Sequence, residues 1–176
     1  MAGSINDFKS SFTADLARPS RFDVVITPPL SMWANAAARK LTYRCETSQL
    51  PGRSLATTER KTYGPIEKLP YVTTYGDIDL TFIVDDDMSQ KKFFDAWMEK
   101  VNPSFTHNFG FKDEYSSSIV INQYDVSGEI SYSVELIDAY PISVNQLDLD
   151  WSSDGHHKLV VTFAYTRWQN SFLSIV

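Results

Sequence analysis

Three aspartates stand together at Asp85, Asp86 and Asp87, and two further pairs, Asp77 with Asp79 and Asp148 with Asp150, alternate with apolar residues. Carboxylates in such groupings serve two chemistries. Alternating oxygens around a central glycine hold calcium, and two carboxylates across a sugar ring hydrolyse a glycosidic bond. The first pattern is incomplete here: Asp85, Asp86 and Asp87 are consecutive, so their side chains diverge, and no glycine lies between them. Each alternating pair shares one face of an expected strand, an arrangement that solvated strands also have. His156 and His157 are adjacent in an expected turn, and His107 is the only other histidine. No imidazole pair is therefore spaced for a metal. Cys45 is the single cysteine, which excludes a disulfide within one chain. A thiol nucleophile needs a base beside it, and no local pattern ties a histidine to Cys45, so it reads as a small buried hydrophobe. Phosphate-loop, nucleophile-elbow and dinucleotide signatures are absent. The expectation is a non-enzyme with no catalytic, cofactor-binding or metal residues.

The elements that position these groups centre on residues 75–101, YGDIDLTFIVDDDMSQKKFFDAWMEKV. Ile78, Leu80, Phe82 and Val84 alternate with Asp77, Asp79 and Thr81, which is a strand with one buried face. After the aspartates the period changes. Phe93, Phe94, Trp97, Met98 and Val101 form one apolar stripe, predicting a packed helix over about residues 88–101. Asp87 is placed to cap it, with Gln90 at the return position of a capping box. Asn102-Pro103 ends it. Each large side chain of the stripe gains roughly 1.5–3 kcal/mol on burial, and so short a helix must lie on a sheet.

Elsewhere strands dominate. Arg21–Thr27 buries Phe22, Val24 and Ile26, and Lys40–Thr47 alternates with Leu41, Tyr43 and Cys45 inward. Residues 30–39 are a linker containing Trp33. Residues 48–74 read as a long irregular loop with turns at Pro51-Gly52 and Gly64-Pro65. It is the only locally basic stretch, and loops of this length in compact domains usually meet a partner. Its expected contact residues are Arg53, Leu55, Arg60, Tyr63, Ile66 and Leu69. Phe105, Phe109 and Phe111 suggest at most a short edge strand. Ile119–Val126 and Ile130–Tyr140 make a hairpin around Gly128, and Pro141 is expected to break the run. Ile142–Trp151 turns Leu147, Leu149 and Trp151 inward and Asp148 and Asp150 outward. Lys158–Trp168 is the last strand, apolar on both faces. The predicted fold is mainly β: an antiparallel sandwich or partly closed barrel with one helix against it. An N-terminal arm (1–20), with Phe8, Phe12 and Leu16 at helical spacing, and a C-terminal tail (169–176) flank a single domain over 21–168.

The chain has 176 residues, 14% aromatic, and a net charge of -6, which argues against a nucleic-acid binder built on a basic surface. No apolar run approaches the length of a membrane span. The opening MAGSINDFKSSF has polar breaks and no signal-peptide core, so the mature chain is expected to begin near Met1. Strand-rich, aromatic and without evident chemistry, the chain suits a geometric role in which exposed sheet edges find partners.

Four segments then resemble the tail tube proteins of contractile-tailed bacteriophages: FTADLARPSRFDVVI (12–26), YRCETSQLPGRSLATTE (43–59), DIDLTFIVDDDMSQKKFFDAWMEKV (77–101) and VELIDAYPISVNQLDLDWSSDGHHKLVVTFAYTRW (134–168). The resemblance implies rings of six subunits whose sheets join as the wall of an inner barrel. The rings would stack on a baseplate inside a contractile sheath, end at a terminator, and pass DNA and a tape-measure protein through the bore. The location implied is the virion tail, assembled in the host cytoplasm. A baseplate tube initiator, a terminator ring, and the tube of an injection or secretion apparatus are the nearest alternatives. A carbohydrate-binding sandwich is a more distant one. The 30–39 linker and the QNSFLSIV end depart from the family pattern. Within such a tube, Asp77 and Asp79, with Asp148 or Asp150 behind them, are expected on the bore or on a polar ring interface.

Overall fold

The computed structural model describes residues 5, 16–29, 32, 37–152 and 154–170. Phe8, Phe12 and Trp33 lie outside the described residues, as does the tail beyond Asn170. Strands run antiparallel throughout the main sheet, in the order β1 (Phe22–Ile26), β6 (Ser117–Tyr124), β7 (Ile130–Val144), β8 (Lys158–Ala164), β5 (Ile78–Ile83) and β2 (Cys45–Thr47). A further strand, β9 (Arg167–Asn170), branches off β7. The sheet curls into a nearly closed barrel, the mainly β architecture the alternation predicts.

β7 is the seam. Its first part pairs with β6 on one side and, at Val134–Ile137, with β9 on the other. From Tyr140 onward it pairs with β8. Asp138 marks the change of partners, with a left-handed φ of 56°. Lys112 donates to its carboxylate at 2.8 Å, and that hydrogen bond holds the Asp138 carboxyl below its ordinary range. Pro141, expected to break the strand, sits inside it. The ladder shifts register between Pro141 and Ser143, so a bulge absorbs the missing amide donor. The β6–β7 turn closes on Gly128 at φ 90°, where the Asp125 carboxylate accepts the Glu129 amide at 2.9 Å.

The core lies between the sheet and the helix Ser89–Val101. Ile78, Leu80 and Phe82 lie beside their cross-strand partners Phe163, Val161 and Leu159 on the inner face of β5 and β8, and Phe93, Phe94 and Trp97 of the helix are buried in the same core. Trp97 stacks on Phe94 and meets the edge of Phe163 at 5.9 Å, while its Nε1 donates to the Tyr115 carbonyl at 2.7 Å. Met98 and Val101 are half-buried at the flank of the stripe. The helix start differs from a simple capping box. Met88 takes a left-handed turn (φ 54°) before the first helical residue, and Asp87 accepts the Ser89 amide at 3.0 Å. The extra turn sends Gln90 back to Asp85 rather than Asp87: it accepts the Asp85 amide and donates to the Asp85 carboxylate, both at 3.0 Å. Gln90 is fully buried, so this exchange satisfies a polar group that would be costly unpaired.

Several expected strands are other things. Lys40–Thr47 is mostly helix, α1 (Ala37–Arg44), and only Cys45–Thr47 joins the sheet. Three alternating apolar positions are a weak signal, and the alanines and long straight side chains before them favour helix. Leu41 is buried, but Tyr43 is exposed. With Ser89–Val101 as α2, a short α3 (Lys112–Tyr115) replaces the edge strand expected near Phe105, Phe109 and Phe111, which are all exposed. Gly110 packs closely there, since a Cβ would sit 3.0 Å from the Lys100 carbonyl oxygen and force a small shift. The strand expected at Ile142–Trp151 ends at Val144, because the Asn145 side chain accepts the Val160 amide at 2.8 Å in place of a continuing ladder. Leu147 packs against the core, but Leu149 and Trp151 are exposed. The final strand also divides. β8 stops at Ala164, and Gln169 and Asn170 belong to β9 rather than to a tail.

Candidate assembly surfaces

The stretch 48–74 is not irregular. It forms a two-stranded antiparallel ribbon, β3 (Ser54–Arg60) with β4 (Glu67–Thr74), exposed at every position. The β-branched Thr57, Thr58, Val72, Thr73 and Thr74 suit strands, and Gly64 at φ 127° allows the tip to turn. At the root, Ser54 Oγ and Thr74 Oγ1 are hydrogen-bonded at 2.6 Å, and Trp168 Nε1 donates to the Gly52 carbonyl at 3.2 Å.

Register assigns the contact candidates to different places. Thr58 lies opposite Leu69 and Arg60 opposite Glu67, on one face, whereas Leu55 lies opposite Thr73 on the other. Tyr63 and Ile66 are at the tip and Arg53 is at the root. Exposed Tyr71 and Val72, at the bulge, extend the apolar surface and are absent from the sequence-derived set. Their alternation is broken by the bulge itself, so no periodic signal marks them.

The four aspartates also divide. Asp79 lies on the outer face of β5 beside its cross-strand neighbour Thr162, whose hydroxyl donates to Asp79 at 2.6 Å. Asp77 just precedes β5 and is exposed. Asp148 and Asp150 do not share a strand face, since they sit in the 145–157 loop. There they line an open cleft with Leu149, Trp151, Gly155, His156 and His157. Asp150 accepts the Ser152 amide at 3.0 Å and its hydroxyl at 2.9 Å, which lowers its pKa and commits it to the turn. Among the described residues, no three His, Cys, Asp or Glu side chains converge to hold a metal ion. Cys45 is half-buried, and burial pushes its thiol up to about 12, so it is not a thiolate near neutral pH.

A curled antiparallel sheet carries a ribbon that is exposed at every position, and unpaired strand edges of this kind are where sheets gain partners. The family model for phage tail tube proteins matches residues 17–171, and the chain belongs to that family. Tail tube protein gp19 of Enterobacteria phage T6 is 24% identical, covering 94% of this chain and 99% of the relative. The gp19 tail tube protein of Enterobacteria phage T4 is 23% identical with the same coverage. Among solved structures, the anti-feeding prophage baseplate, 6-fold symmetrised, has a similar chain with TM-score 0.66 and 14% identity, covering 93% of this chain and 100% of that one. A chain from the sheath/tube terminator of an extracellular contractile injection system (PVC) matches with TM-score 0.65 and 15% identity, covering 90% and 99%. Both show a shared fold.

Proposed function

We propose that this chain forms rings of six that stack into the inner tube of a contractile tail and conduct DNA. The tube would lie inside a sheath, start on a baseplate, stop at a terminator, and enclose a tape-measure protein before DNA passes. The observation that carries this reading is the β3–β4 ribbon. A two-stranded ribbon exposed at every position is marginal alone, and a neighbouring subunit supplies the missing burial. The baseplate similarity supports sixfold rings, and similarity to both baseplate and terminator chains makes a single initiating or terminating ring the second reading. No helix among the described residues is long and apolar enough to cross a membrane. Negative-stain microscopy of the concentrated protein separates the cases. Long hollow tubes are expected; isolated rings would favour the second reading, and monomers at every concentration would reject both.

On the same reading Asp77 and Asp79 face the bore, where negative charge repels phosphate and keeps DNA moving. Asp77→Lys with Asp79→Lys should slow DNA ejection severalfold, with recovery at higher salt as phosphate contacts weaken. Ejection kinetics from assembled particles check this. Unchanged rates with both positions mapped to the bore would remove the electrostatic role.

A further inference from the structure

Both feet of the ribbon touch one corner of the barrel. Residues 48–53 lead from β2 into β3, and residues 75–77 lead from β4 into β5. A Cβ at Gly52 or at Gly76 would meet nothing within 4 Å, so close packing fixes neither crossing at those points. Side chains from the corner between β8 and β9 reach both crossings. Trp168 Nε1 donates to the Gly52 carbonyl at 3.2 Å, and the Tyr165 ring lies 6.1 Å from the Tyr75 ring, tilted by 53°.

The corner is itself firmly held. The Thr166 amide donates to the Ile137 carbonyl at 3.0 Å, and Lys112 of α3 donates to the Thr166 hydroxyl at 2.7 Å. Trp168 stands opposite Leu136 in the β7–β9 pairing. The Tyr165 and Trp168 rings also pack against the core. The Tyr165 hydroxyl is buried and has no hydrogen-bond partner among the described residues, so its ring alone makes the contact with Tyr75.

Direction matters because the ribbon is long for its base. β3 alone spans about 23 Å, so a tilt of about 10° at the foot carries the tip about 4 Å. A shift of that size breaks a hydrogen bond or a close apolar contact. A tip held at one angle also loses less freedom when it meets a partner.

We infer that the β8–β9 corner sets the direction of the ribbon, with Trp168 and Tyr165 as positioning residues that pin its two feet. The pinning is a property of the single subunit and holds whether or not rings stack. Ser54 and Thr74, hydrogen-bonded at 2.6 Å, keep the feet together, so the ribbon turns on the corner as one piece.

Paired nitroxide labels on the monomeric full chain test this. Tyr63→Cys places one label at the tip and Ala96→Cys places the other on α2, with Cys45→Ala removing the native thiol. Pulsed dipolar spectroscopy should give one narrow tip-to-body distance peak. Trp168→Phe keeps a ring in the core and removes the donor; Tyr165→Leu keeps apolar bulk and removes the ring contact. Each should broaden the peak about twofold, and the two together should broaden it further. Tyr165→Phe should leave the width unchanged, since the hydroxyl has no partner. A merely structural role for these residues would lower the denaturant midpoint without widening the peak. A broad peak in the unmodified protein, or an unchanged width in either pin variant, overturns the pinning. Should Tyr165→Leu fail to fold, Trp168→Phe decides alone.

Discussion

Trp97→Ala will lower the unfolding free energy of the isolated subunit by about 3–5 kcal/mol, measured as a leftward shift of a denaturant curve. Three losses add in one direction. Trp97 is wholly buried, so truncation removes a large apolar area and leaves a cavity under α2. Its ring contacts with Phe93, Phe94 and Phe163 disappear together. The Tyr115 carbonyl also loses the donor that holds it at 2.7 Å, which loosens the link between α2 and α3. Small domains have only about 5–15 kcal/mol in total, so the loss is a large share. Trp97→Phe, which keeps most of the volume but not the donor, should fall between the two. A curve for Trp97→Ala that overlays the unmodified protein would show that α2 does not seal the core.

Replacing Ala56–Val72 with Asn-Gly has the opposite profile. The subunit should retain its fold, since no residue of β3 or β4 is buried and Leu55 and Thr73 are direct cross-strand partners that a two-residue turn can join. Far-ultraviolet and thermal signatures of the body should therefore change little, while long tubes disappear from micrographs of concentrated protein. Normal tubes from the shortened chain would mean that the ribbon is ornamental and that stacking uses other surfaces.

The sequence shows most plainly those elements that bury one face within a single chain. β5 and α2 are legible because Ile78, Leu80 and Phe82 repeat every two residues and Phe93, Phe94 and Trp97 follow helical spacing. β1, β8 and the β6–β7 hairpin follow the same logic. β3 and β4 are opaque for the converse reason: a strand exposed on both faces has no buried side, so it carries no two-residue period. Leu149 and Trp151 mislead in the other direction. They alternate with aspartates as a half-buried strand would, yet both are exposed. Tyr43 misleads because a run of three alternating residues fits a short helix equally well. The bulge at Pro141 is invisible without its partner strand, since the compensation lies in the register with β8. The six contact candidates all fall in the stretch that folds as the ribbon and its root, and their division between two faces, tip and root follows from pairing that only the folded chain reveals.

The fifteen-residue strand β7 has a mechanical corollary. Prising the barrel open along that line would mean dragging one backbone out of its ladders with β6, β9 and β8 at once. Force on such a strand loads many hydrogen bonds in shear, so they resist together and do not unzip in succession. A wall built this way is stiff where a simple stack of two independent layers would delaminate, and toughness against rupture comes from connectivity rather than from added bonds.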